Sequence, residues 1–199
     1  MNGQRAKAGR GASVLERHAA FFDRDGDGFV TPPETFARLR DLGVGPALGG
    51  LLTGLIHAAL GPLTQRRPAL RIRVDAIARG KRKKSSGVFG ADGRFSARSF
   101  DRLRERAGGP AGALTLRELR DLIDTNPESP PSNVLEAFFS RAETRVLFCL
   151  AADTSRPEGG RDMPALSLKR LRSFYEGDLL YALARRRRLA RRRPAPRGA

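Results

Sequence analysis

Cysteine is nearly missing from this chain of 199 residues: Cys149 stands alone, so no internal disulfide can form and no cluster of thiolates can hold zinc. It lies in the apolar run Val146-Leu147-Phe148-Cys149-Leu150, where a buried structural thiol is expected. Aromatic residues make up only 7% and no nucleic-acid-binding motif is present, so specific base readout is not expected. Acidic residues are outnumbered, 21 against 38 Lys and Arg, and the formal charge of +17 points to a negatively charged partner, a phospholipid surface or nucleic acid. The first twelve residues carry Arg5, Lys7 and Arg10 but lack the apolar core of a signal peptide, so 1–12 reads as a flexible basic arm of a protein that is not secreted.

Formal charge is also missing from Leu42 to Leu63, LGVGPALGGLLTGLIHAALGPL. At roughly 22 residues this tract reaches the length of a membrane-spanning helix. Its six glycines and Pro46 make it a poor helix former and Pro62 and Pro68 punctuate its end, so a hairpin or a monotopic insertion is as well supported as a span, with a buried core helix as the remaining reading. The segment 42–68 is therefore expected to associate with lipid, and the basic residues of 69–95 to hold it against anionic headgroups.

Acidic residues, though few, are placed with purpose. Asp23-Arg24-Asp25-Gly26-Asp27-Gly28-Phe29-Val30-Thr31-Pro32-Pro33-Glu34 fits the twelve-position calcium loop of an EF-hand. A hard cation needs several oxygens at once, and a short loop supplies them from alternate residues. Asp23, Asp25 and Asp27 provide carboxylates, Phe29 its backbone carbonyl, Thr31 a hydroxyl or a bridging water, and Glu34 a bidentate closure, while Gly28 permits the sharp turn. Ser13 with Glu16, and Thr31 with Glu34, read as capping boxes opening a helix on either side, which defines a hand over 13–41. Further helices are predicted after Ser96, Thr115 and Ser167, and over 133–151, within a helical half spanning 96–183. The fold class is mainly α. Calcium loops pair through a short strand at position eight, Val30 here, and the degenerate partner loop is expected between Ala152 and Ser167. Residues 184–199 form an Arg-rich tail that reads as a solvated extension.

The order of these features resembles the caleosins, lipid-droplet proteins and haem peroxygenases. Leu15 to Asp23 is similar to the family's L-x-x-H-x-x-F-F-D, Glu34-Thr35 through Leu42-Gly43 to its E-T…L-G, and Asp92-Gly93-Arg94-Phe95 to its G-R-F segment. Leu114 to Leu119 resembles L-T-x-x-E-L, and Leu166 to Leu179 the family's L-S-K-E and F-D-G-S-L-F, so the resemblance covers about residues 13 to 183. It implies a calcium-binding protein of a lipid droplet or an endoplasmic-reticulum-like membrane surface. It also implies a haem that takes an oxygen atom from a fatty-acid hydroperoxide, with iron held by two histidines. The first corresponds to His18; where the family has the second, this chain reads Ala76 to Gly87 without a histidine, and its only other one is His57 in the apolar tract. Haem held by His18 alone is the form of the cofactor that the sequence leaves open. The alternative from another class is a soluble EF-hand calcium sensor whose Arg-rich tail binds nucleic acid or an acidic protein.

Overall fold

The computed structural model describes residues 13–77, 96–106, 112–124 and 144–192. In chain order its elements are α1 (Val14–Phe22), β1 (Phe29–Val30), α2 (Pro32–Asp41), α3 (Pro46–Gln65), β2 (Ile72–Arg73), α4 (Ala97–Arg106), β3 (Ala113–Thr115), α5 (Leu116–Asp124), β4 (Thr154–Glu158), β5 (Arg161–Ser167), α6 (Leu168–Tyr175) and α7 (Leu179–Arg192). A further helical stretch covers 144–151. The chain is mostly helical, as its caps and periodicity indicate. The basic arm 1–12, the cationic stretch 79–95, the apolar positions 134–139 and the end of the tail, 193–199, lie outside the described residues. Two compact units emerge, Met1–Gly80 with Gly177–Ala199, and Lys81–Glu176.

In the first unit α1 begins where Ser13 Oγ accepts from the Glu16 amide at 3.2 Å and the Glu16 carboxylate accepts from the Ser13 amide at 2.7 Å, a complete capping box. The helix buries Val14 and Phe21. Phe21 is the centre of this core, meeting Phe22 and Tyr181 edge-to-face at 5.1 and 5.0 Å, with the Arg38 guanidinium 5.0 Å over its face. Val30, Leu39, Leu42, Val44, Ile72, Leu179 and Leu183 complete it. Helix α7 extends through Arg192, so the first arginines of the tail are helical, and Arg188 bonds Asp41 at 2.8 Å.

In the second unit β3, β5 and β4 form an antiparallel sheet in that order, with Leu114 opposite Leu166. Both are buried, with Phe100, Leu103, Leu119, Phe148, Ala165, Leu171 and Tyr175 around them. Strands β3 and β5 each run directly into a capped helix. The Thr115 amide donates to Glu118 at 2.8 Å to open α5, and the Arg170 amide donates to Ser167 Oγ at 3.3 Å to open α6.

Three expectations are corrected. Val30 pairs not with the stretch Ala152 to Ser167 but with Ile72, in the two-residue ladder of β1 and β2. The later stretch is occupied otherwise: it folds into the β4–β5 hairpin through Gly159 and Gly160, and its Asp153 accepts from the Ser167 amide and hydroxyl at 2.9 Å each. The glycine-rich tract is neither a hairpin nor a broken helix but one continuous helix of 20 residues, α3, with Pro62 inside its last turn. Cys149 is exposed, because the helix 144–151 turns Thr144, Phe148 and Ala151 inward and leaves position 149 on the opposite face.

Candidate functional site

The acidic loop between α1 and α2 is wound by its own side chains. Asp23, buried at the end of α1, accepts from the Gly26 amide at 2.6 Å and the Gly28 amide at 3.1 Å. Asp25 accepts from the Asp27 amide at 3.1 Å, and Asp27 from the Phe29 amide at 2.7 Å. Gly26 and Gly28 have φ of 77° and 86°, the left-handed region that glycine enters without strain. These turns bring one carboxylate oxygen from each of Asp23, Asp25 and Asp27 within 4.8 Å of one another. Glu34 accepts from the Arg24 amide at 2.8 Å, the Thr31 amide at 2.9 Å and the Thr31 hydroxyl at 2.7 Å, which ties the loop's start to its end.

The electrostatics match a loop that gathers like charges. Burial raises the Asp23 pKa, amide bonds from Gly26 and Gly28 oppose that rise, and the charges of Asp27 and Glu34 add to it. Glu34 is held below the ordinary carboxylate range: burial, the largest influence, pushes upward, but bonds from Thr31, Arg24 and Asp25 outweigh it. The donor set is oxygen throughout, which fits a hard divalent cation such as calcium and not a thiophilic one. Of the residues the spacing singles out, Asp23, Asp25 and Asp27 converge, Thr31 and Glu34 are bonded to each other with Glu34 also bonded to the Arg24 amide, and Phe29 lies in β1.

Sequence reasoning missed a cation already at the loop. Arg71, just before β2, bonds Asp27 at 2.9 Å and lies 4.6 Å over the Phe29 ring. Its approach depends on β1 pairing with β2, so no local spacing announces it.

Helix α3 is polarised in an unusual sense. It buries Gly49, Thr53, His57, Gly61 and Thr64, one face of small and polar residues, and exposes Leu48, Leu51 and Leu63, with Leu51 59% exposed. The inner face is bonded, not merely packed. His57 donates through Nδ1 to the Leu70 carbonyl, which can only accept, so its Nε2 accepts from the Thr35 hydroxyl at 2.8 Å. Thr53 and Thr64 return their hydroxyls to the helix's own carbonyls at Gly49 and Leu60, at 2.7 and 2.9 Å. The Phe36 ring packs against Gly49, and Gly61 admits the Ala69 carbonyl where a side chain would collide with it. Among the described residues α3 is the one helix long and apolar enough to cross a bilayer.

These contacts bear on iron ligation. His57 is only 1% exposed and both ring nitrogens are engaged, which removes it as a ligand. His18 lies half-buried on α1. Ala78 and Arg82, at the place of the family's second histidine, lie outside the described residues, and neither side chain is an iron ligand. The residues of this chain do not fit a haem held by two histidines.

Fold and site together define a mostly helical protein with an all-oxygen acidic loop and one apolar helix. The family model of caleosin-related proteins matches residues 10–184. A probable peroxygenase 4 of Arabidopsis thaliana is 32% identical over 182 residues, covering 88% of this chain and 87% of its own. A peroxygenase of Lilium longiflorum is 30% identical over 194 residues, covering 94% of this chain and 76% of its own. No solved structure matches the chain. The chain belongs to the caleosin family.

Proposed function

We propose that this caleosin binds calcium in the loop Asp23 to Glu34 and works at the surface of a lipid droplet or an intracellular membrane, resting on the outer face of α3. The observation that carries the reading is the inverted polarity of α3. A helix of a water-soluble protein turns its leucines inward, whereas this one turns threonine, histidine and glycine inward and leucine outward. An apolar phase outside the protein removes the cost of that arrangement. The helix lies along the surface and does not span. Its inner face is bonded to α2 and to residue 70, and spanning would drag the exposed Arg71 and Arg73 toward hydrocarbon at about 2.5–3.5 kcal/mol each. Arg66 and Arg67 at the end of α3 are exposed and suit anionic headgroups.

Flotation with vesicles containing phosphatidylserine, with and without calcium, tests this. The parent protein is expected to float and Leu51→Glu to remain in the soluble fraction, while both bind calcium alike in calorimetry. A parent that stays soluble with or without calcium would hand the case to the soluble sensor with a nucleic-acid or acidic-protein partner.

The relatives' names support a second reading, peroxygenase activity, for which the family resemblance suggests a fatty-acid hydroperoxide as oxygen donor. In this chain such chemistry rests on haem at His18, since the two-histidine arrangement does not fit. A Soret band after haem reconstitution, lost in His18→Ala, would establish haem at His18, and hydroperoxide-dependent oxygenation by that holoprotein would establish the activity; absence of the band removes the enzyme and leaves the calcium and lipid readings standing.

A further inference from the structure

The second unit repeats the second half of the acidic loop without its aspartates. Gly112, Leu114, Thr115 and Glu118 carry the spacing of Gly28, Val30, Thr31 and Glu34. The geometry repeats as well. The Thr115 amide donates to Glu118 at 2.8 Å as the Thr31 amide does to Glu34 at 2.9 Å, and Leu114 pairs with Leu166 as Val30 pairs with Ile72. In that register Ala113 holds the seventh position, whose backbone carbonyl is a metal ligand in a calcium loop, and Glu118 the twelfth, whose carboxylate is the bidentate one. Positions one, three and five are Ala107, Gly109 and Ala111, which have no oxygen to offer from a side chain.

A cation is nevertheless present at those oxygens. Arg156 Nη1, from β4, donates to the Ala113 carbonyl at 2.6 Å and stands 3.1 Å from each of Glu118 Oε1 and Oε2. One positively charged nitrogen thus meets both oxygens of the bidentate glutamate and the carbonyl of position seven. Those are three of the atoms that a calcium ion would gather. The β4–β5 hairpin delivers it, since Arg156 pairs with Met163 in the same ladder that brings β5 against β3.

We propose that Arg156 is a tethered cation that occupies the metal position of a vestigial loop, holding the strand and helix after it in their ion-loaded arrangement with no ion. The second unit is then permanently set, and the calcium response of the chain is confined to the first unit. The proposal extends the calcium reading of the acidic loop to the architecture of its counterpart, yet its main test needs no calcium.

Thermal unfolding of the full chain, followed by circular dichroism in excess chelator, is compared for the parent, Arg156→Met, Arg156→Lys and the exposed control Arg161→Met. Arg156→Met keeps much of the side chain's bulk without its charge and is expected to lower the midpoint of the second unit by about 4–8 °C. Arg156→Lys keeps a cation and is expected to stay close to the parent. A loss shared equally by Lys and Met would mean that Arg156 acts by packing alone, and no loss in Met would mean that the contact supports nothing; either overturns the proposal. Should Arg156→Met not fold, Arg156→Ala with millimolar guanidinium supplies the missing group in trans, and absence of rescue overturns it. Calorimetry is expected to count one calcium per parent chain. Two would show an ion displacing Arg156 and overturn the proposal; none would sink the calcium reading, while the unfolding series still decides the role of Arg156.

Discussion

Replacing Arg71 with glutamine is expected to tighten calcium binding, although Arg71 is itself no ligand. Arg71 Nη2 is 2.9 Å from Asp27 Oδ2, and a calcium ion would lie about 2.3–2.6 Å from the oxygens that bind it. Ion and guanidinium nitrogen would then be about 4–5 Å apart. Two unit charges at 4 Å repel by about 1 kcal/mol in water, and a divalent ion doubles that to about 2 kcal/mol before screening by salt reduces it. Releasing the exposed Asp27 from its ion pair removes a further competing contact worth about 0.2–1 kcal/mol. The sum after screening is about 1–2 kcal/mol, which is roughly a 5- to 30-fold gain in affinity. Titration calorimetry at low and at high salt measures it, with Arg67→Gln as control because Arg67 bonds Gln65 and not the loop. Equal affinities for parent and Arg71→Gln, or a gain that does not shrink in high salt, would refute the electrostatic argument.

Two further outcomes follow from the inner face of α3. Burial lowers the His57 pKa more than the Leu70 bond and the Glu34 charge raise it, so the folded state resists protonation below the ordinary value near 6.5. The contribution is absent above pH 7 and becomes a penalty as pH falls, reaching about 1.4 kcal/mol per unit until the folded pKa is met. Urea midpoints at pH 7.5 and 5.5 should therefore fall more steeply for the parent than for His57→Gln; parallel slopes would show that His57 does not titrate this way. Gly61→Ala would place a methyl group on the Ala69 carbonyl and should destabilise, whereas Gly54→Ala faces open space and should stabilise the helix by about 0.5–1 kcal/mol. Denaturation of the pair checks the facing of α3, and equal effects would contradict it.

What could be read from the sequence was what residues a few places apart decide among themselves. Ser13 with Glu16 and Thr115 with Glu118 stand only three positions apart, and both pairs close a cap. The loop from Asp23 to Glu34 is equally local, and its aspartates converge through bonds to amides no more than five residues on. The partner of Val30 was not local. Ile72 reaches it across the length of α3, and nothing in the neighbourhood of either residue names the other. Arg71 was hidden by the same distance. The spacing of Glu118 from Gly112 and Thr115 matches that of Glu34 from Gly28 and Thr31, but without aspartates before it that pattern does not stand out as a calcium loop.

The glycines of α3 show why composition misled. Counted together, they argue against a helix, because each costs backbone entropy. Sorted by facing, they divide. Gly61 lets the Ala69 carbonyl approach a helix backbone where a side chain would collide with it, while Gly50 and Gly54 meet nothing. Close approach on one side sets the Leu70 carbonyl and the Thr35 hydroxyl within reach of His57, and those bonds fix which side of the helix faces outward. The chain leaving that anchored helix becomes Arg71 and then Ile72, the residues that meet Asp27 and Val30. On the proposed function, then, the apolar face and the calcium loop share one short covalent segment, residues 70–72, between the lipid-facing helix and the ladder beside the ion. An ion that displaces Arg71 from Asp27 frees a guanidinium beside the end of α3, next to Arg66 and Arg67, where an anionic headgroup would meet it. Calcium binding and lipid binding should therefore strengthen each other, and Arg71→Gln should weaken that coupling even as it tightens calcium.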